Sequence, residues 1–237
     1  MHRRPAGRLL RVPARLLAAA ALLAACASPP PVTPPAAPPR DLVVLVHGMG
    51  RTPLSMWPLA RRLEREGFDV LNWDYSSTGP TVEELGRQLA AAVRERPRPA
   101  GTHVHFVTHS LGGIVVRAAL LADPPPDLGR VVMLAPPNQG ARAADAAAPW
   151  LGWLWKPLAE LGTADGSACR SLPAPAGVPI GVIAGRFDGK VKVEETHLDG
   201  ETDHVVVPGT HSFLMLRSDV QTYVLAFLRT GRFAPPG

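Results

Sequence analysis

Cysteine occurs only twice in the 237 residues, at Cys26 and Cys169. Two thiols so far apart exclude a disulfide-stapled scaffold and a thiolate-held metal cluster. Neither HExxH nor a similar paired-ligand motif occurs, so the sequence presents no metal site. No internal repeat is apparent. Acidic residues are absent from positions 1–25, which hold Arg3, Arg4, Arg8, Arg11 and Arg15. That local imbalance accounts for the net charge of +5, because without those five the 25 basic side chains fall to 20 and equal the 20 acidic ones. The high pI of about 9.9 is therefore no signature of nucleic-acid binding, and no nucleic-acid partner is expected. What remains, with 46% hydrophobic residues, suffices for one large α/β domain but not for two catalytic domains.

The arginine-rich start is followed by Leu16–Ala25, LLAAAALLAA, and then Cys26. This apolar run is shorter than the ~20 residues that span a bilayer and has the form of an export signal. The string Leu23, Ala24, Ala25, Cys26 resembles the lipobox of bacterial lipoproteins, which implies a signal peptide over 1–25 and an acylated Cys26 as a membrane anchor. Acylation leaves Cys169 without a partner, so no disulfide is expected. Cys169 lies in ADGSACRSLPAP with no histidine beside it, and reads as an unreactive thiol. The residue after Cys26 is Ala27, not the aspartate associated with inner-membrane retention in Gram-negative bacteria. In such a cell an exported, outer-membrane lipoprotein is expected, with the leaflet undetermined.

Residues 28–39, SPPPVTPPAAPP, hold seven prolines in twelve positions. Such a segment favours polyproline II at ~3.1 Å per residue, so residues 26–40 read as a lipidated cysteine and a stiff tether. From Asp41 the pattern changes, and residues 41–233 read as the folded domain. Short apolar runs at 42–46, 68–72, 103–107, 131–134, 180–184 and 204–207 predict strands. Between or after them, 53–65, 81–94, 111–121 and 220–228 predict helices, the second opened by a capping box of Thr81 and Glu84. This βαβ order implies about six mostly parallel strands flanked by helices. The stretch 141–179 is too long for a plain crossover. Its centre holds Trp150, Trp153, Trp155, Leu151, Leu154, Leu158 and Leu161. Two readings stay open: a short helical cap over an apolar pocket, or a helix packed on the sheet edge.

Residues 108–113, THSLGG, join a strand to a helix and hold a serine at the turn. A serine hydroxyl is a weak nucleophile until it is lifted clear of its backbone toward a base, and a sharp strand-to-helix turn does that. Gly112 and Gly113 supply small residues where strand and helix approach. Thr108 stands where the usual GxSxG pattern has its first glycine.

Four blocks, LVHGMGR at 45–51, THSLGG at 108–113, LAPPNQG at 134–140, and GRFDGKV with GTHSF, together resemble the α/β-hydrolase superfamily and its compact lipase-like and esterase-like bacterial members. The resemblance covers nearly all of 41–230. It implies the α/β-hydrolase fold and a triad in the chain order Ser, acid, His, met here by Ser110, Asp188 and His211. Strand polarity argues for the same residues, because active sites of open parallel sheets lie beyond the carboxyl ends of the strands. Asp188 follows IGVIA and His211 follows VVV, whereas Asp199, Asp203 and His204 precede or open the last strand. His197 reads as a solvated loop residue, His103 and His105 as structural, and His109 as turned away from the reacting centre.

The resemblance further implies that Met49 and Leu111 supply oxyanion-hole N–H groups. The turns of His47, Gly48 and Gly112 would support them, with His47 itself structural. Asn138 and Gln139 are candidates either for substrate contact or for holding their loop, and Asp74 and Tyr75 carry no assigned role. The expected activity is that of a serine hydrolase cleaving carboxylic esters through an acyl-enzyme, with no metal or organic cofactor. A small-molecule or lipid ester is the expected substrate, and the sequence leaves oligomeric state open. Other readings are a lipid-binding or interaction lipoprotein on a retained scaffold, and an acyltransferase or thioesterase.

Overall fold

A computed structural model describes residues 39–233, so the signal and lipidation readings and all of the tether up to residue 38 lie outside the described residues. Six parallel strands form one sheet in the order β2-β1-β3-β4-β5-β6. They are β1 Leu42–Val46, β2 Asp69–Trp73, β3 Val104–His109, β4 Leu128–Leu134, β5 Ile180–Gly185 and β6 Asp203–Val207. Every residue of β1, β3 and β5 is buried, as expected for strands covered on both faces by crossover helices. The chain has the α/β-hydrolase fold.

The pleat divides the core into two layers. Val44, Val46, Phe106 and Met133 face α2 (Val82–Glu95) and α3 (Leu111–Ala122). Val43, Leu45, Val107 and Leu134 face α1 (Trp57–Arg65) and α8 (Ser218–Thr230). The segment between β4 and β5 forms three short helices, α4 Arg142–Leu151, α5 Lys156–Glu160 and α6 Ala168–Ser171, and α7 Val193–Thr196 lies between β5 and β6.

Local chemistry accounts for α2, the helix packed against α3. At the start of α2 the Thr81 hydroxyl accepts the Glu84 N–H at 3.2 Å, and the Glu84 carboxylate accepts the Thr81 N–H at 2.8 Å. Val82, Leu85, Leu89 and Val93 then form its buried stripe. Gly86 lets α2 and α3 cross closely, since a Cβ there would lie 2.7 Å from that of Ala118. Arg117, buried on α3, donates to the carbonyls of Cys169, Leu172 and Pro173 and to Asn138 Oδ1. It thereby ties the far end of the 141–179 segment to the helix behind Ser110. Cys169 beneath it is fully buried, and burial pushes its thiol pKa up to about 12.

Candidate active site

The three proposed catalytic residues sit on three loops at the carboxyl edge of the sheet, after β3, β5 and β6. Ser110 adopts φ 52°, ψ −121°, a region that disfavours side chains with a Cβ, and it is the residue between β3 and α3. Three contacts hold this conformation. The Ser110 N–H donates to Leu134 O at 2.9 Å, and the Ser110 carbonyl accepts the Gly113 N–H at 2.9 Å. Gly112 passes so close to β1 that a Cβ would fall on the Val46 carbonyl oxygen. The departure at Thr108 is accommodated nearby, because a Cβ at Gly113 would lie 3.4 Å from Thr108 Oγ1 and 3.1 Å from Pro136. The extra bulk of Thr108 thus occupies space that Gly113 leaves open.

His211 opens a 3-10 turn, His211–Leu216, and its Nε2 lies 3.0 Å from Ser110 Oγ. Its Nδ1 donates to Asp188 Oδ2 at 2.7 Å. The other carboxylate oxygen, Oδ1, accepts the N–H groups of Lys190 at 2.7 Å and Val191 at 2.9 Å. Burial alone would raise the Asp188 pKa. The His211 bond and charge, with the two backbone donors, outweigh it and hold the carboxyl below its usual range. The arrangement can therefore keep an anion behind an imidazole whose other nitrogen reaches a serine hydroxyl. The backbone N–H groups of Met49 and Leu111 make no hydrogen bond to other described residues, so both donors are free.

Two residues do more than the sequence discloses. Tyr75, which had no assigned role, stacks on His47 with centroids 4.2 Å apart and on Trp73 at 4.4 Å. Its hydroxyl donates to His47 O at 2.6 Å, so it clamps the turn that carries Met49. Ser77 Oγ accepts the Gly50 N–H at 2.9 Å and holds the far side of that turn, where Gly50 takes φ 66°. His47 itself donates from Nδ1 to Gly48 O at 3.0 Å, and burial lowers its pKa, as suits a neutral structural ring.

The reading of His109 as turned away is corrected. The pleat sends His109 to the same layer as Val107, which is the layer into which the 211–216 turn folds. Its ring lies 4.9 Å from that of His211, and its Nε2–H donates to the His211 carbonyl at 2.8 Å. Burial, and then the charge of His211, bring its pKa down to about 3, so it is a neutral donor at neutral pH. Gly48 makes room for it, since a Cβ there would lie 2.8 Å from His109 Nδ1. Replacing His109 with leucine is expected to lower kcat by ~10–100-fold with KM little changed, through misplacement of the His211 ring. His109→Gln, which retains a side-chain donor, should recover part of that loss. Equal activity of the two variants would remove this positioning role.

Asn138 and Gln139 hold their loop and its neighbour. Asn138 is buried and donates to Thr196 O at 2.9 Å, while Gln139 donates to His197 O at 3.0 Å. The expectation of no clustered metal ligands is also corrected. His197, Glu201 and His204, separated by a turn that no fixed motif marks, converge with potential ligand atoms within 4.8 Å of one another. They lie at the amino end of β6, on the opposite edge of the sheet from Ser110.

A cavity of about 340 Å³ opens onto Ser110, His211 and Met49. Its walls are mainly apolar. Ala143, Ala144 and Ala147 of α4 form one side, and Leu151, Trp155, Leu158 and Leu161 continue it, so the 141–179 segment builds much of the pocket. A larger depression of about 700 Å³ between α2, α3 and the α5–α6 region contains none of the three proposed catalytic residues, and the chemistry points to the smaller cavity.

Residues 37–172, more than half of the chain, match the family model described as Serine aminopeptidase, S33. The chain belongs to this hydrolase family. The match includes Ser110 and ends before Asp188 and His211, which join the site through the geometry above. No curated protein sequence matches this hydrolase. Among solved structures it is similar to a lipase of Bacillus licheniformis in its mature form, at 20% identity and a TM-score of 0.64, over 82% of this chain and 93% of that one. A methylesterase of Arabidopsis shares 16% identity at a TM-score of 0.58, over 80% and 99%. Phospholipase PlaB of Legionella pneumophila shares 22% at 0.53, over 66% of the hydrolase and 45% of that chain. At these identities the likeness establishes a shared fold.

Proposed function

We propose that the hydrolase cleaves carboxylic esters with apolar acyl groups through an acyl-enzyme formed on Ser110. The observation that carries this reading is the continuous relay from Asp188 through His211 to Ser110, at 2.7 and 3.0 Å, ending on a serine held at φ 52°. His211 takes the hydroxyl proton as Ser110 Oγ bonds to the ester carbonyl carbon. The N–H groups of Met49 and Leu111 receive the negative charge that develops on the carbonyl oxygen. Collapse of the intermediate expels the alcohol, which leaves with the proton from His211. Water, deprotonated by the same imidazole, then attacks the acyl-enzyme and releases the acid. Asp188 keeps the proton of neutral His211 on Nδ1 and stabilises the imidazolium.

The pocket favours an ester over an N-terminal peptide. An aminopeptidase needs an anionic group for the substrate's ammonium, and among the described residues no carboxylate side chain lines this cavity, whose wall carries the cationic Lys190. The alanine face of α4 with Leu151 and Trp155 offers instead a dry slot for an alkyl chain. We infer that 141–179 acts as a cap. The sequence of 1–40 further supports export and membrane attachment through an acylated Cys26, which would place the pocket near lipid esters.

A fluorophosphonate probe tests the reading. It should label the wild type at Ser110 and fail to label Ser110→Ala. The same preparation should hydrolyse p-nitrophenyl esters of graded chain length and leave aminoacyl p-nitroanilides intact. Labelling that survives Ser110→Ala, or turnover confined to the anilides, would sink it. Product transfer to an added alcohol in preference to water would make the protein an acyltransferase.

A further inference from the structure

The chain between Asp188 and His211 carries a second group of chemistry-bearing side chains that the acyl-transfer site leaves unused. After α7 a tight turn closes with the Glu201 N–H donating to Leu198 O at 2.9 Å, with Gly200 at φ 87°. The turn returns Glu201 to His197, whose Nδ1 lies 2.7 Å from Glu201 Oε1. His204, at the start of β6, stacks on His197 with centroids 4.1 Å apart and planes 20° apart. Two imidazoles and one carboxylate thus meet within 4.8 Å.

Their surroundings fix the orientation of each group. The Thr196 hydroxyl donates to Val193 O at 2.6 Å, so toward His204 Nε2 at 3.0 Å it acts as an acceptor. That assigns the His204 proton to Nε2 and the lone pair to Nδ1, the tautomer control typical of a metal-ligating histidine. Glu201 Oε2 accepts the Leu198 N–H at 3.1 Å. The backbone at 196 and 197 is held in turn by Asn138 and Gln139.

We propose that His197, Glu201 and His204 form a three-ligand site for a divalent transition-metal ion of the zinc, cobalt or nickel class, completed by water. Imidazole nitrogens select such ions over calcium and magnesium, which prefer all-oxygen shells. Ligand bonds of ~2.0–2.2 Å require the three donor atoms to draw closer than they stand, and the half-exposed His197 ring has room to turn. The ion takes the place of the proton on His197 Nδ1, which passes to solvent. On the edge opposite Ser110 it takes no part in acyl transfer. It staples the β5–β6 connection, which begins with Asp188, to the start of β6, the strand that leads to His211.

The test uses the full-length chain without a polyhistidine tag, stripped with a chelator. Titration with Zn²⁺ by calorimetry, and with Co²⁺ by visible absorption, should give one ion per chain. The melting temperature should rise by roughly 5–10 °C at about a hundredfold excess over Kd. Both effects should vanish in His197→Ala and in Glu201→Gln. In the wild type Zn²⁺ should also protect His197 from diethyl pyrocarbonate, a readout that needs no variant. Absence of stoichiometric binding, unprotected His197, or binding that persists in both variants overturns the proposal.

Discussion

Ser110→Ala should lower kcat for a soluble ester by about 10⁶-fold while leaving the melting temperature close to that of the wild type. The magnitude follows from the loss of the covalent route, since no other hydroxyl lies within hydrogen-bond reach of His211 Nε2 among the described residues. What should remain is the contribution of the proposed Met49 and Leu111 oxyanion donors and of substrate binding, ~10³–10⁴ over the uncatalysed reaction. The fold should survive because the Ser110 side chain caps no helix and, among the described residues, hydrogen-bonds only to His211, and its backbone bonds to Leu134 and Gly113 are retained. Steady-state kinetics with a p-nitrophenyl ester measure the loss. A reduction smaller than ~10²-fold would remove Ser110 from the chemistry.

Asp188→Asn should cost about 10⁴-fold in kcat, for a reason written into the hydrogen bonds. Oδ1 accepts two backbone N–H groups, from Lys190 and Val191, and only an oxygen can take that place. In the asparagine variant the amide oxygen is therefore held there, and the NH₂ group is turned toward His211 Nδ1. A donor facing Nδ1 forces the His211 proton onto Nε2, where it confronts the Ser110 hydroxyl and no base remains. The substitution should also change acid stability. The Asp188 pKa is lowered in the folded state, so its carboxylate adds stability that is complete above the unfolded value of ~3.9 and is lost as pH falls through the lower folded value. In Asp188→Asn that part of the pH dependence should disappear from urea melts below about pH 4. An unchanged slope there, or a kcat within tenfold of wild type, would contradict this account.

The fold was legible because strands buried on both faces are spelled as continuous apolar runs. LVVLV coincides with β1 at Leu42–Val46, and the capping box of Thr81 and Glu84 forms as read. Boundaries slipped where turn-like residues belong to strands. β4 begins at Leu128, not at 131, because Gly129 and the prolines just before it disguise backbone that already pairs with β3. The candidate site was legible as far as its chemistry comes from residue types at strand ends. What the sequence withheld is which face a neighbouring side chain takes and what lies across from it. His109 and Tyr75 act through partners about a hundred and about thirty residues away, and no local pattern encodes those meetings. The His197, Glu201 and His204 group is hidden similarly, since its members lie on a turn and a strand instead of one helical face.

The backbone at Ser110 has a consequence for how such a chain can be improved. Glycine would relieve the positive φ at that position, and a selection for robustness alone would drift toward it. Any screen that rewards thermal resistance without assaying turnover will therefore tend to erase the proposed nucleophile. A non-glycine residue held at positive φ there marks what the fold would give up for reactivity.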